Sequence, residues 1–102
     1  MGRQLKLHEE LCDILGSRNV YFQPPETVKM EYPCIVYSRA DGDTKFANDM
    51  PYTFERRYNV TIIDPDPDSK IIEKMAYNFP KCIYDRHFTA DNLNHDIFKI
   101  YY

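Results

Sequence analysis

The chain has 102 residues, with 13 Lys and Arg against 16 Asp and Glu and a net charge of −3. That length holds one modest core, so residues 1–102 are read as a single domain. The weak acidity gives no reason to expect specific nucleic-acid binding, which wants clustered Lys and Arg. No apolar run approaches the ~20 residues of a membrane span.

Arg3 and Lys6 have no apolar run behind them, so no secretory signal is expected. Cys12, Cys34 and Cys82 are odd in number, widely spaced and set in apolar stretches. They read as reduced core thiols of a chain made in a cytoplasm. Nine Tyr and six Phe, with no Trp, suit surfaces that become buried in assemblies, and equally half-exposed strand faces.

In chain order, Arg3 to Leu15 carries a helical stripe of Leu7, Leu11, Ile14 and Leu15, with Glu9, Glu10 and Asp13 opposite. Gly16 fits the left-handed position just past a helix end. Asn19 to Gln23 is a short strand closed by Pro24-Pro25, which confines it to an edge or a crossing segment. Pro33 opens a nearly all-apolar strand, Cys34 to Arg39, expected to be central in a sheet. Ala40 to Pro51 (ADGDTKFANDMP) reads as the loop of a long hairpin.

From Tyr52 to Ile63 the chain alternates: Tyr52, Phe54, Tyr58, Val60 and Ile62 share one parity, and Thr53, Glu55, Arg57, Asn59 and Thr61 the other. Successive strand side chains point to opposite faces, so one face is apolar and the other wet. Arg56 interrupts the apolar set and Ile63 the polar one. Asp64-Pro65-Asp66-Pro67-Asp68 stops the strand, because a proline has no N–H for a ladder. Asp66 then suits an N-cap and Pro67 the first helical position. Ile71, Ile72, Met75, Ala76 and Phe79 make the second helical stripe, which Asn78 and Pro80 end. Lys81 to Arg86 is a short strand or turn, Thr89 to Asn94 a turn, and His95 to Tyr102 a closing strand. The expected class is α+β: a mostly antiparallel sheet of four to five strands with two helices packed on one face.

The chemistry-bearing residues form no recognisable site. Asp64, Asp66 and Asp68 resemble the first half of a calcium loop, but Ser69 and Met75 stand where its Gly and Glu belong. His8, His87 and His95 have no ligand spacing, and His95 and Asp96, as strand neighbours, point apart. Gly2, Gly16 and Gly42 are too dispersed for a phosphate-cradling loop. No catalytic residue, metal or cofactor is therefore expected. A metal-dependent hydrolase using Asp64, Asp66 and His95 is the enzyme reading set against this. For Arg56 two readings stand: a stem that packs while its head reaches the sheet margin, or an ion pair with a carboxylate of a neighbouring subunit.

Five stretches in combination carry a resemblance: the opening helix ending in LG, NVYFQPP at 19–25, YPCIVY at 32–37, RRYNVTIIDPDPDS at 56–69 and FTADNLNHDIFKIYY at 88–102. The chain resembles the tail terminators, or tail-to-head joining proteins, of long-tailed bacteriophages, which are small tail-completion and minor capsid components. The resemblance implies a structural virion protein of the tail or neck, made in the host bacterial cytoplasm. It implies a homo-oligomeric ring, commonly a hexamer, that ends polymerisation of the tail tube protein and offers a surface to the head-side connector. The alternative is another neck connector, a head-closure or adaptor protein. A closed ring needs two different complementary patches per subunit. Free strand edges at 20–23 and 95–102 are the expected sources of one, with Tyr21, Arg56 and Tyr101 as inter-subunit candidates. The loop 40–51 is the expected partner contact, through Asp41, Asp43, Lys45, Phe46, Asp49 and Met50.

Overall fold

The computed structural model describes residues 3–40, 43–47 and 50–102, and the side chains of 4–40 and 56–102. The element order is α1 (Arg3–Leu15), β1 (Val20–Phe22), β2 (Cys34–Arg39), β3 (Asp43–Ala47), β4 (Met50–Glu55), β5 (Arg57–Asp64), α2 (Ile71–Asn78), β6 (Cys82–Ala90) and β7 (Leu93–Tyr101). Five strands form one mixed sheet in the order β1-β2-β5-β7-β6, and β3 and β4 form a separate two-stranded ribbon. Only β1 and β2 run parallel; the β2–β5, β5–β7 and β7–β6 pairings are antiparallel. The class is α+β, as the order of stripes and alternating runs implies.

Period-two alternation builds the core. Tyr58, Val60 and Ile62 of β5 lie opposite Arg39, Tyr37 and Ile35 of β2 and opposite Ile100, Phe98 and Asp96 of β7. The apolar members of that face join Leu7, Leu11, Cys12 and Ile14 of α1, and Met75 and Phe79 at α2, in one buried cluster. Cys34 and Ile63, paired on the opposite face, are buried as well. That accounts for an isoleucine among the polar residues of β5.

One polar link ties α1 to this face. The Tyr37 ring, 1% exposed, carries a hydroxyl that accepts from Gln4 Nε2 at 2.6 Å and lies 2.8 Å from His8 Nδ1. A hydroxyl has one proton and two acceptor lone pairs, so the direction of the bond with His8 Nδ1 follows the tautomer of the imidazole. Gly16 ends α1 with φ 81° and its N–H on the Cys12 carbonyl at 2.8 Å, the left-handed stop that its place in the sequence predicts.

Several expectations are corrected. The strand read as continuous from Tyr52 breaks at Arg56: Met50–Glu55 pairs with β3, and Arg57–Asp64 with β2 and β7. A run serving two sheets must change direction between them, and Arg56, the interruption of the apolar parity, is where it does so. The expected loop 40–51 is largely ribbon, holding all of β3 and the start of β4. The closing strand is not an edge, because β7 lies between β5 and β6. The strand before it runs on to Ala90, and only Asp91 and Asn92, with φ 52° and 61°, make the turn. Left-handed backbone at both central residues is what a type I′ two-residue hairpin turn requires. Nor does Asp66 cap α2. Its carboxylate accepts from Asp68 N at 2.9 Å, while Ser69 Oγ accepts from Ile71 N at 3.3 Å at the true helix start.

Two substitutions test this packing. Leu11, fully buried, changed to Ala is expected to cost about 2–5 kcal/mol, since a lost side chain leaves a cavity. Tyr37→Phe keeps the ring, strands Gln4 and His8, and is expected to cost about 1 kcal/mol. Urea unfolding monitored by far-ultraviolet circular dichroism measures both.

Candidate interaction surface

The sheet is open, with β1 at one edge and β6 at the other. These edges differ. β1 is three residues long, with Val20 buried and Tyr21 and Phe22 half-buried. β6 is nine residues long, and every residue from Ile83 to Ala90 is exposed. Among the described residues six large hydrophobic side chains are exposed, and Ile83, Tyr84 and Phe88 of β6 are three of them. Concentration of apolar side chains on an unpaired edge distinguishes this patch from scattered surface residues.

Pairing with β7 sets which way β6 residues face. Cys82, Tyr84 and His87 lie opposite Ile100, Phe98 and Asp96, on the core-facing side. Ile83, Arg86 and Phe88 lie opposite Lys99, Ile97 and His95, on the other. The register slips between Tyr84 and Arg86, leaving Asp85 as the extra residue of a bulge. Two contacts stiffen the strand from β7: Phe88 stacks on His95 with ring centroids 4.5 Å apart, and Tyr84 donates to Asp96 Oδ1 at 2.8 Å. Asp96 is buried, so this bond satisfies a carboxylate removed from water. Desolvation, reinforced by that carboxylate, pushes the Tyr84 phenol up to about 12.

The expected inter-subunit residues are spread between the edge and the interior. Tyr21 is on the β1 edge, where its hydroxyl accepts from Glu31 N at 3.2 Å. Arg56 is half-buried at the junction of β4 and β5, and its carbonyl accepts from Tyr102 N at 2.9 Å. Tyr101 is on interior strand β7, and Arg57 stacks over its ring at 5.1 Å. Arg56 and Tyr101 thus lie near one end of the sheet, away from any edge that Tyr101 could extend. Of the expected contact residues, Asp43, Lys45 and Phe46 belong to β3 and Met50 to β4, while Asp41 and Asp49 lie outside the described residues. Phe46 pairs with Pro51 and Ala47 with Met50, which brings Phe46 and Met50 close at one end of the ribbon. The β3–β4 ribbon is inserted in the chain between β2 and β5, whose pairing ends at the Arg39–Tyr58 pair, next to which Ala40 N donates to the Arg57 carbonyl at 2.8 Å.

The acidic stretch after β5 is occupied by its own backbone. Asp64 Oδ1 accepts from Asp66 N at 2.8 Å, and Asn94 Nδ2 donates to the Asp64 carbonyl at 3.2 Å. Among the described residues no group of three His, Cys, Asp or Glu is placed to hold a metal. His95 and Asp96 face opposite ways, one onto Phe88 and the other to Tyr84. A cleft of about 380 Å³ between α1 and α2 is lined by Glu10, Asp13, Ile14, Lys74, Asn78 and Phe79. Its carboxylates and ammonium can bind a polar group, and its lining includes no Ser, Cys or His. Comparison with protein-family models, curated proteins and solved structures finds no match.

Sequence reading misses β6 as an edge. The bulge at Asp85 destroys the alternation that would have marked a nine-residue strand, and Asp91-Asn92 is a weaker turn signal than Asn-Gly. The detectable signal is the spacing of Ile83 and Phe88, which share a face only if one residue between them is extra.

Two titrations test the local environments. The Tyr84 phenol is expected to ionise near pH 12, and Asp96→Asn to lower that midpoint only part of the way, since desolvation remains. The folded value lies above the unfolded one of ~10, so this group's contribution to stability is full below pH 10 and lost as pH rises through about 12. Ultraviolet difference spectroscopy follows the ionisation. Burial likewise pushes the Cys34 thiol up to about 11. Cys34 is therefore expected to resist a disulfide reagent at pH 8 until the chain is unfolded, as thiol counting with and without denaturant will show.

Proposed function

We propose that this chain is a structural protein of a phage virion. In this reading it forms a ring at the head-proximal end of the tail tube, stops tube polymerisation and joins the tail to the head-side connector. The resemblance of its five segments to tail terminators brings the idea. The observation that best supports it is an open sheet with two unlike edges, β1 and β6. A ring closes through heterologous contacts, and unlike edges can supply the two complementary patches these need. The edge assigned to the closing strand in the sequence moves to β6, and with it the inter-subunit role given to Tyr101. Tyr21 on β1 and Arg56 beside the ribbon keep theirs.

The β3–β4 ribbon is proposed as the element that meets the tube or the connector. The described molecule is elongated, with extents of 50 × 25 × 22 Å, and the ribbon forms no ladder with the main sheet. Both helices are proposed to cover one face of the sheet, consistent with α1 and α2 residues sharing one buried cluster. The opposite face and the edges then remain for partners. The chemistry proposed is assembly alone, without reaction or cofactor, in a ring of six copies.

Electron microscopy of tail tube protein polymerised with this chain tests the proposal. Rings at one end of tubes of limited length are expected. Phe46→Asp is expected to leave the monomer folded and to release tube length. Normal tube lengths with that variant would remove the ribbon from the contact. Rings that bind portal-side proteins and ignore tubes would replace the terminator reading with that of a head-closure or adaptor protein.

A further inference from the structure

We propose that the free chain is a two-fold dimer in which β6 pairs antiparallel with β6 of a second copy, making one ten-stranded sheet. The bulge carries the argument. In an antiparallel pair, residues directly opposite must share a face of the sheet. On a regular strand this permits only registers centred on a residue. In β6 the bulge between Tyr84 and Arg86 moves the allowed centre to the point between Asp85 and Arg86.

About that centre every rung matches. Tyr84 meets His87 of the second copy, both on the core-facing side, and Ile83 meets Phe88, both on the opposite side. Cys82 meets Thr89, and those residues also share the core-facing side through Ile100 and Asn94 of β7. At the centre Asp85 meets Arg86 of the second copy, and by symmetry Arg86 meets its Asp85. Two ion pairs therefore flank the axis, and two apolar pairs, Ile83 with Phe88, lie outside them. Sliding the register by one residue sets Asp85 against Asp85, or Arg86 against Arg86, and places Tyr84 across from a residue of the wrong face. Like charges directly opposite destabilise a sheet pair.

The groups involved are accessible for this contact. Within one chain Arg86 Nε is 3.8 Å from Asp85 Oδ2 and its side chain is 71% exposed. Ile83, Tyr84 and Phe88 are 54%, 48% and 43% exposed. The pairing occupies β6, so it competes with ring closure through that edge and withholds it until a tube end is present.

Sedimentation velocity of the full chain across a dilution series tests this. The wild type is expected to shift from dimer to monomer on dilution. Arg86→Glu sets like charges across the axis and is expected to weaken the dimer roughly tenfold or more. Asp85→Arg combined with Arg86→Asp reverses both charges, keeps them complementary and is expected to restore the dimer. Circular dichroism reports whether each variant folds; if Arg86→Glu does not, Ile83→Lys is expected to give the same loss. A wild type that is monomeric at every concentration, a dimer indifferent to Arg86→Glu or Ile83→Lys, or a charge reversal that fails to restore association overturns the inference. Ring formation on tubes is read separately by microscopy, so a monomeric chain that still caps tubes sinks the dimer and leaves the terminator reading standing.

Discussion

Every backbone N–H and C=O withdrawn from water needs a partner, and a sheet meets that demand everywhere except at its two outermost strands. In this chain the demand falls unequally. β1 is short and largely packed, while β6 presents nine residues of edge with three large apolar side chains exposed. A strand can remain bare in water when it is short, charged or bent. β6 has a bend and two charges at its middle, Asp85 and Arg86, but its flanks are apolar. Those features blunt the edge against arbitrary strands, and they match a copy of themselves.

The rest of the fold serves to hold that edge in place. β5 is the middle strand of the sheet, paired on both sides along its length, and its alternate apolar side chains meet the helices in one cluster. β7 passes this order outward: Phe98 and Ile100 face the core, while Asp96 and His95 hold Tyr84 and Phe88 of β6. Of the contacts that orient the exposed strand, one originates in buried Asp96 and the other in half-buried His95. Loss of packing beneath β7 is expected to disturb the edge even though no edge residue has changed.

Much of this was legible in the residues. The stripe at Leu7, Leu11 and Ile14, the glycine after it, the apolar run from Cys34 and the alternation from Tyr58 to Ile62 each reflect a local period, and local periods survive in sequence. The features that failed are those set by tertiary pairing. Tyr52 to Ile63 alternates apart from Arg56 and Ile63, and one arginine in the apolar set is too slight a signal to reveal that the two halves belong to different sheets. Asp66 has the chemistry of a helix cap and uses it one turn early, on Asp68 N, because Ser69 stands closer to the true start. Strand order is invisible to periodicity, and the closing strand therefore looked like an edge while β6, disguised by its bulge, did not. The interaction surface we propose accordingly takes Ile83, Tyr84 and Phe88 of the β6 edge in place of Tyr101, which lies on an interior strand.

Hydrogen exchange along the full chain tests most directly whether β6 exists to be covered by another copy. The account predicts that amides within Cys82–Ala90 become strongly protected as protein concentration rises, while those of α1 and β5 keep the same protection throughout. Fast exchange along β6 at every concentration, with or without tube ends present, would contradict it.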